Sequence, residues 1–197
     1  MVEIRSPKRS ELVEIVNILL IAFEDKFSYI FRGDMDKGKE LLKADYSSID
    51  DRKLTNHFVA IENNRVVGTI HLKSKSSRYK QISFIKIIKK MGFFKGLKVG
   101  IALRILDSFE FEKNSCYIAS LAVLPEYRNR GIGASLLNYA EKDSKKKNFK
   151  SLSLHVLSRN ANARKFYKKF GFIEIQNINS FWTQWLLGFR EYIYLKK

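Results

Sequence analysis

Tyr117-Ile118-Ala119-Ser120-Leu121-Ala122-Val123-Leu124-Pro125-Glu126-Tyr127-Arg128-Asn129-Arg130-Gly131-Ile132-Gly133-Ala134 is a near-continuous apolar run, closed by a proline, that leads into a glycine turn. Such a run predicts a central strand buried on both faces, and Pro125 ends it because proline has no N–H to give to a ladder. Beyond Gly131, Leu136, Leu137 and Ala140 recur on one face of a helix. Glycines at a strand-to-helix corner let the backbone turn tightly and approach a ligand. The first N–H groups of the helix and the positive end of its dipole then form an anion site. Taken alone, a glycine turn is more often a packing corner. A third glycine at the dinucleotide spacing is missing, and no Gly-Lys-Ser/Thr makes it a nucleotide P-loop.

Upstream, residues 2–6 read as a short strand, and Ser10 reads as the cap of an amphipathic helix carrying Leu12, Ile15, Val16, Leu19, Leu20 and Phe23. A lysine-rich helix is expected from Asp36 to Tyr46. His57 to Glu62 and Arg65 to Leu72 flank Asn63-Asn64, a hairpin signal. Downstream come a strand from Ser151 to Leu157 and a helix from Ala161 to Phe170 ended by Gly171. Two more strand candidates follow, Phe172 to Ile178 and Glu191 to Lys196. A hairpin first and strand-helix-strand afterwards imply an α/β (α+β) fold whose mixed sheet carries helices on both faces.

Residues 75–114 break this alternation. Ile82, Phe84, Ile85, Ile87, Ile88, Met91, Phe93 and Phe94, then Leu97, Ile101, Ile105, Leu106 and Phe109, predict two amphipathic helices inserted before the central strand. This stretch is also where the charge lies. The chain carries a formal +17, and from Lys73 to Arg104 there are ten Lys or Arg and no Asp or Glu. A basic field attracts polyanions or a phosphate-bearing cofactor, and it is also compatible with an ordinary solvated surface.

At 197 residues, 45% hydrophobic and 13% aromatic, the sequence is that of a folded protein, read as one domain over 1–197 with 75–114 as its insertion. It begins without a signal-like apolar segment and has no uncharged apolar run of membrane-spanning length, so a cytoplasmic location is expected. Cys116 is the single cysteine and has no nucleophile context, while His57 and His71 lack metal-ligand spacing, so no metal is expected.

A second motif lies downstream of the glycine turn: Asn160, Ala163, Phe166, Tyr167, then Gly171-Phe172. With Arg128, Gly131 and Gly133 after a Leu-Ala-Val strand, it makes residues 115–175 resemble the GNAT superfamily of N-acetyltransferases. That family's pyrophosphate signature is Arg or Gln, two residues, Gly, one residue, Gly or Ala. The resemblance implies a mostly antiparallel sheet of about seven strands flanked by helices, with the insertion between the third and fourth strands lying outside the family's minimal pattern. It also implies acetyl-CoA as cofactor, with CoA as product.

On that resemblance, the main chain of Leu121, Ala122 and Val123 would bind the pantetheine arm like an added strand. Arg128, Asn129, Arg130, Gly131, Ile132, Gly133 and Ala134 would hold the pyrophosphate, mainly through N–H groups. Asn160 offers an amide to the pantetheine and is equally a helix N-cap. Tyr167 would protonate the departing CoA sulfur. The family's usual base is a glutamate five residues before the motif asparagine, and here that position is His155, on the more polar face of its strand. A histidine near pKa 6.5 could take an ammonium proton at neutral pH, and a satisfied structural histidine is the other reading. Ser120, Glu24 or Glu62 acting through water would be the fallback.

The expected reaction is acetyl transfer to a primary amine of a small molecule or peptide by direct attack in a ternary complex. Phe27, Tyr29, Phe31, the insertion and Phe181-Trp182-Thr183-Gln184-Trp185 are candidates for the acceptor side. A basic surface disfavours polycationic acceptors. The competing classes are an acetyl-CoA-binding or anionic-surface-binding protein without transferase activity, with peripheral contact to an anionic membrane included. No nucleic-acid-reading motif is present, and monomer and homodimer both stay open.

Overall fold

Asn63 and Asn64, with φ of 50° and 60°, turn β2 (His57–Glu62) back on β3 (Arg65–Lys73). Positive φ at both central residues is the requirement of a type I′ hairpin, which asparagine meets at low cost. The structure, a computed structural model of the chain, describes residues 2–49, 54, 56–74, 82–107, 112 and 114–197. Its sheet adds β1 (Glu3–Arg5), β4 (Ser115–Val123), β5 (Ser151–Leu157), β6 (Ile173–Asn179) and β7 (Glu191–Lys196) in the order β1-β2-β3-β4-β5-β7-β6. Every neighbouring pair is antiparallel except β4 with β5.

The described helices are α1 (Leu12–Ala22), α2 (Glu24–Ile30), α3 (Met35–Ser47), α4 (Phe84–Met91), α5 (Phe93–Asp107), α6 (Ile132–Lys146), α7 (Ala161–Lys169) and α8 (Phe181–Leu187). They cover both faces of the sheet. On one face Ile15, Phe31, Val99 and Leu187 pack on Val59 and Ala122. On the other, Leu136 and Leu137 of α6 pack with Val67, Ile70 and Leu154. Leu136 and Leu137 are fully buried, so truncating either to alanine costs about 2–5 kcal/mol.

The inserted helices lie between β3 and β4 as expected, although residues 75–81, 108–111 and 113 of the insertion fall outside the described residues. Three expectations change. Ser10 does not cap α1: it sits in a 3₁₀ turn at Arg9–Glu11, where Glu11 accepts from Lys8 N at 2.7 Å and pairs with Arg5 of β1 at 2.6 Å. A charged pair and a backbone N–H satisfy Glu11 better than a serine could satisfy the same turn. The stretch after α1, to which the sequence assigns no element, is α2, whose Phe27 and Ile30 are buried. The aromatic segment before β7 is α8, capped by Ser180 and ended by Gly188 at φ 82°.

One irregularity prepares the site. Between His71↔Ser120 and Leu72↔Ile118 the β3–β4 register slips by one residue, leaving Ala119 as a bulge. A bulge exchanges the faces of the strand. Cys116 and Ile118 accordingly join the α6 side, whereas Ala122 and Leu124 join the α1 side. The bulge also adds twist to β4 just where the strand leaves β5.

Candidate active site

β4 and β5 pair only over Ser115–Tyr117 and Ser151–Ser153 among the described residues, yet β4 runs to Val123 and β5 to Leu157. The two parallel strands thus open into a fork. The β4 edge at Leu121, Ala122 and Val123 is bonded to β3 on one side and faces the fork on the other. Unpaired N–H and C=O groups on such an edge are a template for another extended chain.

The glycine turn closes the wide end of the fork. Gly131 has φ 77° and Asn129 φ 60°, and a Cβ built on Gly131 would meet nothing within 4 Å. The backbone conformation therefore selects glycine at 131, and open space surrounds it. A Cβ on Gly133 would meet Phe166 at 3.7 Å, an ordinary contact. The first helical bond after the turn is Ser135 N to Gly131 O at 2.9 Å, so the N–H groups from Gly131 to Ala134 are those a helix start leaves over. Ile132 is buried against the core, and only its main chain is available to a ligand. Arg128 turns inward, donating from Nε to Val123 O at 3.2 Å, and Arg130 pairs with Glu62 at 2.9 Å. Both arginines brace the turn.

The narrow end of the fork holds the titratable groups. Tyr117 lies opposite Ser153 in register, and its hydroxyl is 3.1 Å from His155 Nδ1. The backbone of His155 also hydrogen-bonds this hydroxyl. In the tautomer that carries its proton on Nε2, Nδ1 accepts from the Tyr117 hydroxyl. Tyr192 and Tyr194 of β7 complete an aromatic cage, their ring centroids 5.4 and 5.1 Å from that of His155. The Tyr194 hydroxyl is buried with no hydrogen-bond partner among the described residues.

Desolvation lowers the His155 pKa to about 4, so the imidazole is neutral at physiological pH. This departs from the ordinary histidine value expected from sequence, because strand pairing and three tyrosine rings replace water around it. Burial raises Tyr117 well above the usual phenol range, and neighbouring Tyr167, Tyr194 and Tyr192 add to the rise. Tyr167 is buried on the α6 side against Phe166 and Phe172, and burial raises its pKa as well. Two protonated phenols and a neutral imidazole thus converge near the apex of the fork, with Tyr167 and His155 on α7 and β5.

Asn160 Oδ1 accepts from Ala163 N at 3.0 Å, which makes it the N-cap of α7 and leaves its Nδ2 donors for a ligand. Of the fallback groups, Glu62 is engaged by Arg130, Ser120 sits at the bulge opposite His71, and Glu24 is exposed in the first turn of α2. A separate cavity of about 570 Å³ between α1 and the hairpin turn, lined in part by Asn17, Ile18, Arg65 and Leu124, contains none of the tyrosines or His155.

A family model described as the acetyltransferase (GNAT) family matches residues 16–172. The chain belongs to that family. It is 38% identical over 89 residues to the probable N-acetyltransferase san of Drosophila melanogaster, covering 43% of this chain and 46% of that protein. It is 31% identical over 125 residues to N-alpha-acetyltransferase 50 of Danio rerio, covering 61% and 71%. The matched stretch thus spans about half of the first relative and nearly three quarters of the second. An N-acetyltransferase structure from Staphylococcus aureus Mu50 shares the fold, with a TM-score of 0.73 at 21% identity over 99% of this chain and 100% of that one. Acetyl-CoA is the cofactor of the family, and the residues fit it: the free β4 edge has the groups to pair an amide-bearing arm, and the open turn at Gly131 can admit a pyrophosphate.

Tyr117, Tyr192 and Tyr194 were not singled out from sequence. Tyr117 is hidden in an apolar strand, where an aromatic residue reads as core. Its alternation with Ser115, read beside Ser153 and His155, was the available signal, and it needs the β4–β5 register to be decoded.

Proposed function

We propose that the protein is an acetyl-CoA-dependent N-acetyltransferase acting on a peptide α-amine by direct attack within a ternary complex. The observation that carries this reading is the hydrogen-bonded Tyr117–His155 pair at the apex of the β4–β5 fork, with Tyr167 nearby.

Bound acetyl-CoA supplies a thioester whose carbonyl carbon is the electrophile. Leu121, Ala122 and Val123 would hold the extended arm by main-chain bonds, and the N–H groups from Asn129 to Ala134 would take the pyrophosphate, with Arg128 and Arg130 keeping the turn in shape. Asn160 Nδ2 adds a donor. An attacking amine gives its proton to the Tyr117 oxygen as the Tyr117 hydroxyl passes its own to His155 Nδ1. Tyr167, kept protonated by burial, would be the donor for the leaving sulfur.

The acceptor class follows from base strength. His155 near pKa 4 is a weak base, suited to an amine that is already partly neutral. At pH 7.5 an α-amine of pKa about 7.8 is roughly one-third neutral, whereas a lysine ε-amine near 10.4 is only about 0.1% neutral. The +17 charge disfavours polyamines for an independent reason. The name of the Danio rerio relative, an N-alpha-acetyltransferase, agrees with this choice.

The test is thiol release from acetyl-CoA with three acceptors: a peptide with a free N-terminus, the same peptide blocked at its N-terminus and carrying one lysine, and spermine. Turnover of the first alone is expected. Faster turnover of the lysine peptide or spermine would overturn the assignment of acceptor.

A further inference from the structure

We infer that the surface formed by α4, α5 and α8 is a docking face for an anionic lipid bilayer. The elbow between α4 and α5 presents Phe93 and Phe94, 63% and 82% exposed, with Ile85 of α4 equally bare at 66%. No described residue covers them. α8 adds Phe181 and Trp182, each 66% exposed, and Trp185. The two sets form one surface. Phe94, Leu97 and Lys98 are neighbours at i, i+3 and i+4 on α5, and Lys98 Nζ lies 4.9 Å above the Trp185 ring.

The charged side chains interleaved with these rings from Ile85 to Lys98 are lysines. Lys90 pairs with Glu40 and Lys95 with Asp34, but Lys86, Lys89 and Lys98 have no carboxylate partner among the described residues. From Ile82 to Leu106 the chain has no acidic residue at all. Exposed phenylalanine and tryptophan beside unpaired lysines is the chemistry of the membrane interface: rings enter the acyl boundary while ammonium groups stay level with anionic headgroups. A second copy of this chain would meet the same positive face and be repelled. Nucleic acid would match the charge but would leave the aliphatic Ile85 and Leu97 without a partner. The patch exceeds what scattered surface hydrophobes explain.

The docking face shares α8 with the 181–185 segment that the sequence offers as a candidate for the acceptor side. Tyr29 of α2 donates to Trp185 O at 3.1 Å, and Phe27 of α2 belongs to the core shared with Leu186 and Leu187 of α8. A bilayer held there would let the protein act on amines presented at a membrane surface.

Trp182 and Trp185 are the chain's only tryptophans, so the protein reports on its own docking. The full chain is mixed with phosphatidylcholine vesicles, and separately with phosphatidylcholine–phosphatidylglycerol vesicles, and followed by flotation and tryptophan emission. Flotation with the anionic vesicles, a blue shift, and quenching by lipids brominated near the headgroup are expected. The double variant Phe93→Ser/Phe94→Ser should weaken binding about tenfold or more, and Lys89→Glu/Lys98→Glu should do likewise, both with wild-type melting temperature and a wild-type melting shift on adding acetyl-CoA. No flotation, equal binding to neutral vesicles, an emission shift that tracks protein concentration without lipid, or a shift produced by duplex DNA and not by vesicles would each overturn the proposal.

Discussion

Replacing Tyr117 by phenylalanine removes one oxygen atom and isolates its role. In the folded protein that oxygen touches His155 Nδ1 at 3.1 Å and the His155 backbone in a buried setting. Its loss leaves a ring acceptor and a main-chain donor without their partner, a cost to stability of about 1–3 kcal/mol. The fold survives this, because the Tyr117 ring keeps its place in the sheet. Catalysis suffers more. If the hydroxyl relays the amine proton, kcat/KM falls about 10²–10⁴-fold, equivalent to about 3–5 kcal/mol of barrier. Initial rates of CoA release from pH 6 to 9, with acetyl-CoA saturating and the peptide acceptor well below its KM, measure it. Because desolvation holds His155 near pKa 4, the wild-type acid limb should follow the α-amine and show no inflection near 6.5. A Tyr117→Phe enzyme that binds acetyl-CoA normally and keeps its kcat/KM would refute the relay.

Stability should depend on pH through the buried histidines. Burial lowers His57 to about 3 and His155 to about 4, and His71 lies well below its ordinary value. The unfolded chain then binds more protons than the native one below pH 6.5, so the stabilisation is complete above that pH and is lost on acidification. At pH 5 the loss is about 2 kcal/mol for each of His57 and His155, and urea midpoints at pH 7.5 and 5 should show it. Gly131→Ala, at φ 77°, should cost about 1–2 kcal/mol and weaken acetyl-CoA binding, whereas Gly133→Ala, with Phe166 at 3.7 Å, should melt within a degree or so of wild type. Calorimetry on both variants separates the two glycines. Asn160→Ala should lose about 0.5–2 kcal/mol as the α7 cap goes, read by thermal melting without ligand.

Much of the fold was legible because it is written in local signals. The Asn63-Asn64 turn, the β5 boundaries and the two inserted helices rest on turn chemistry and periodicity, and all appear where expected. α2 and α8 were missed for a shared reason. Each has seven residues, too few for a period to stand out, and both are stabilised by packing on α5 and on one another. Ser10 looked like a cap until Glu11 found Arg5, a contact between strand and turn that no window on the sequence contains. At the site, the glycine turn and the Asn160–Tyr167 motif were readable as chain patterns. The fork was not, since it depends on the bulge at Ala119 and on where β4–β5 pairing stops. The depressed pKa of His155 was equally hidden, because the rings that desolvate it come from β4 and β7.

The most direct measurement is tandem mass spectrometry of a lysine-containing peptide with a free N-terminus after incubation with the protein and acetyl-CoA. One acetyl group on the α-nitrogen, absent when His155→Ala or Tyr117→Phe replaces the wild type, is the expected result. Acetylation at the lysine side chain, or no product from a protein that binds acetyl-CoA, would contradict it.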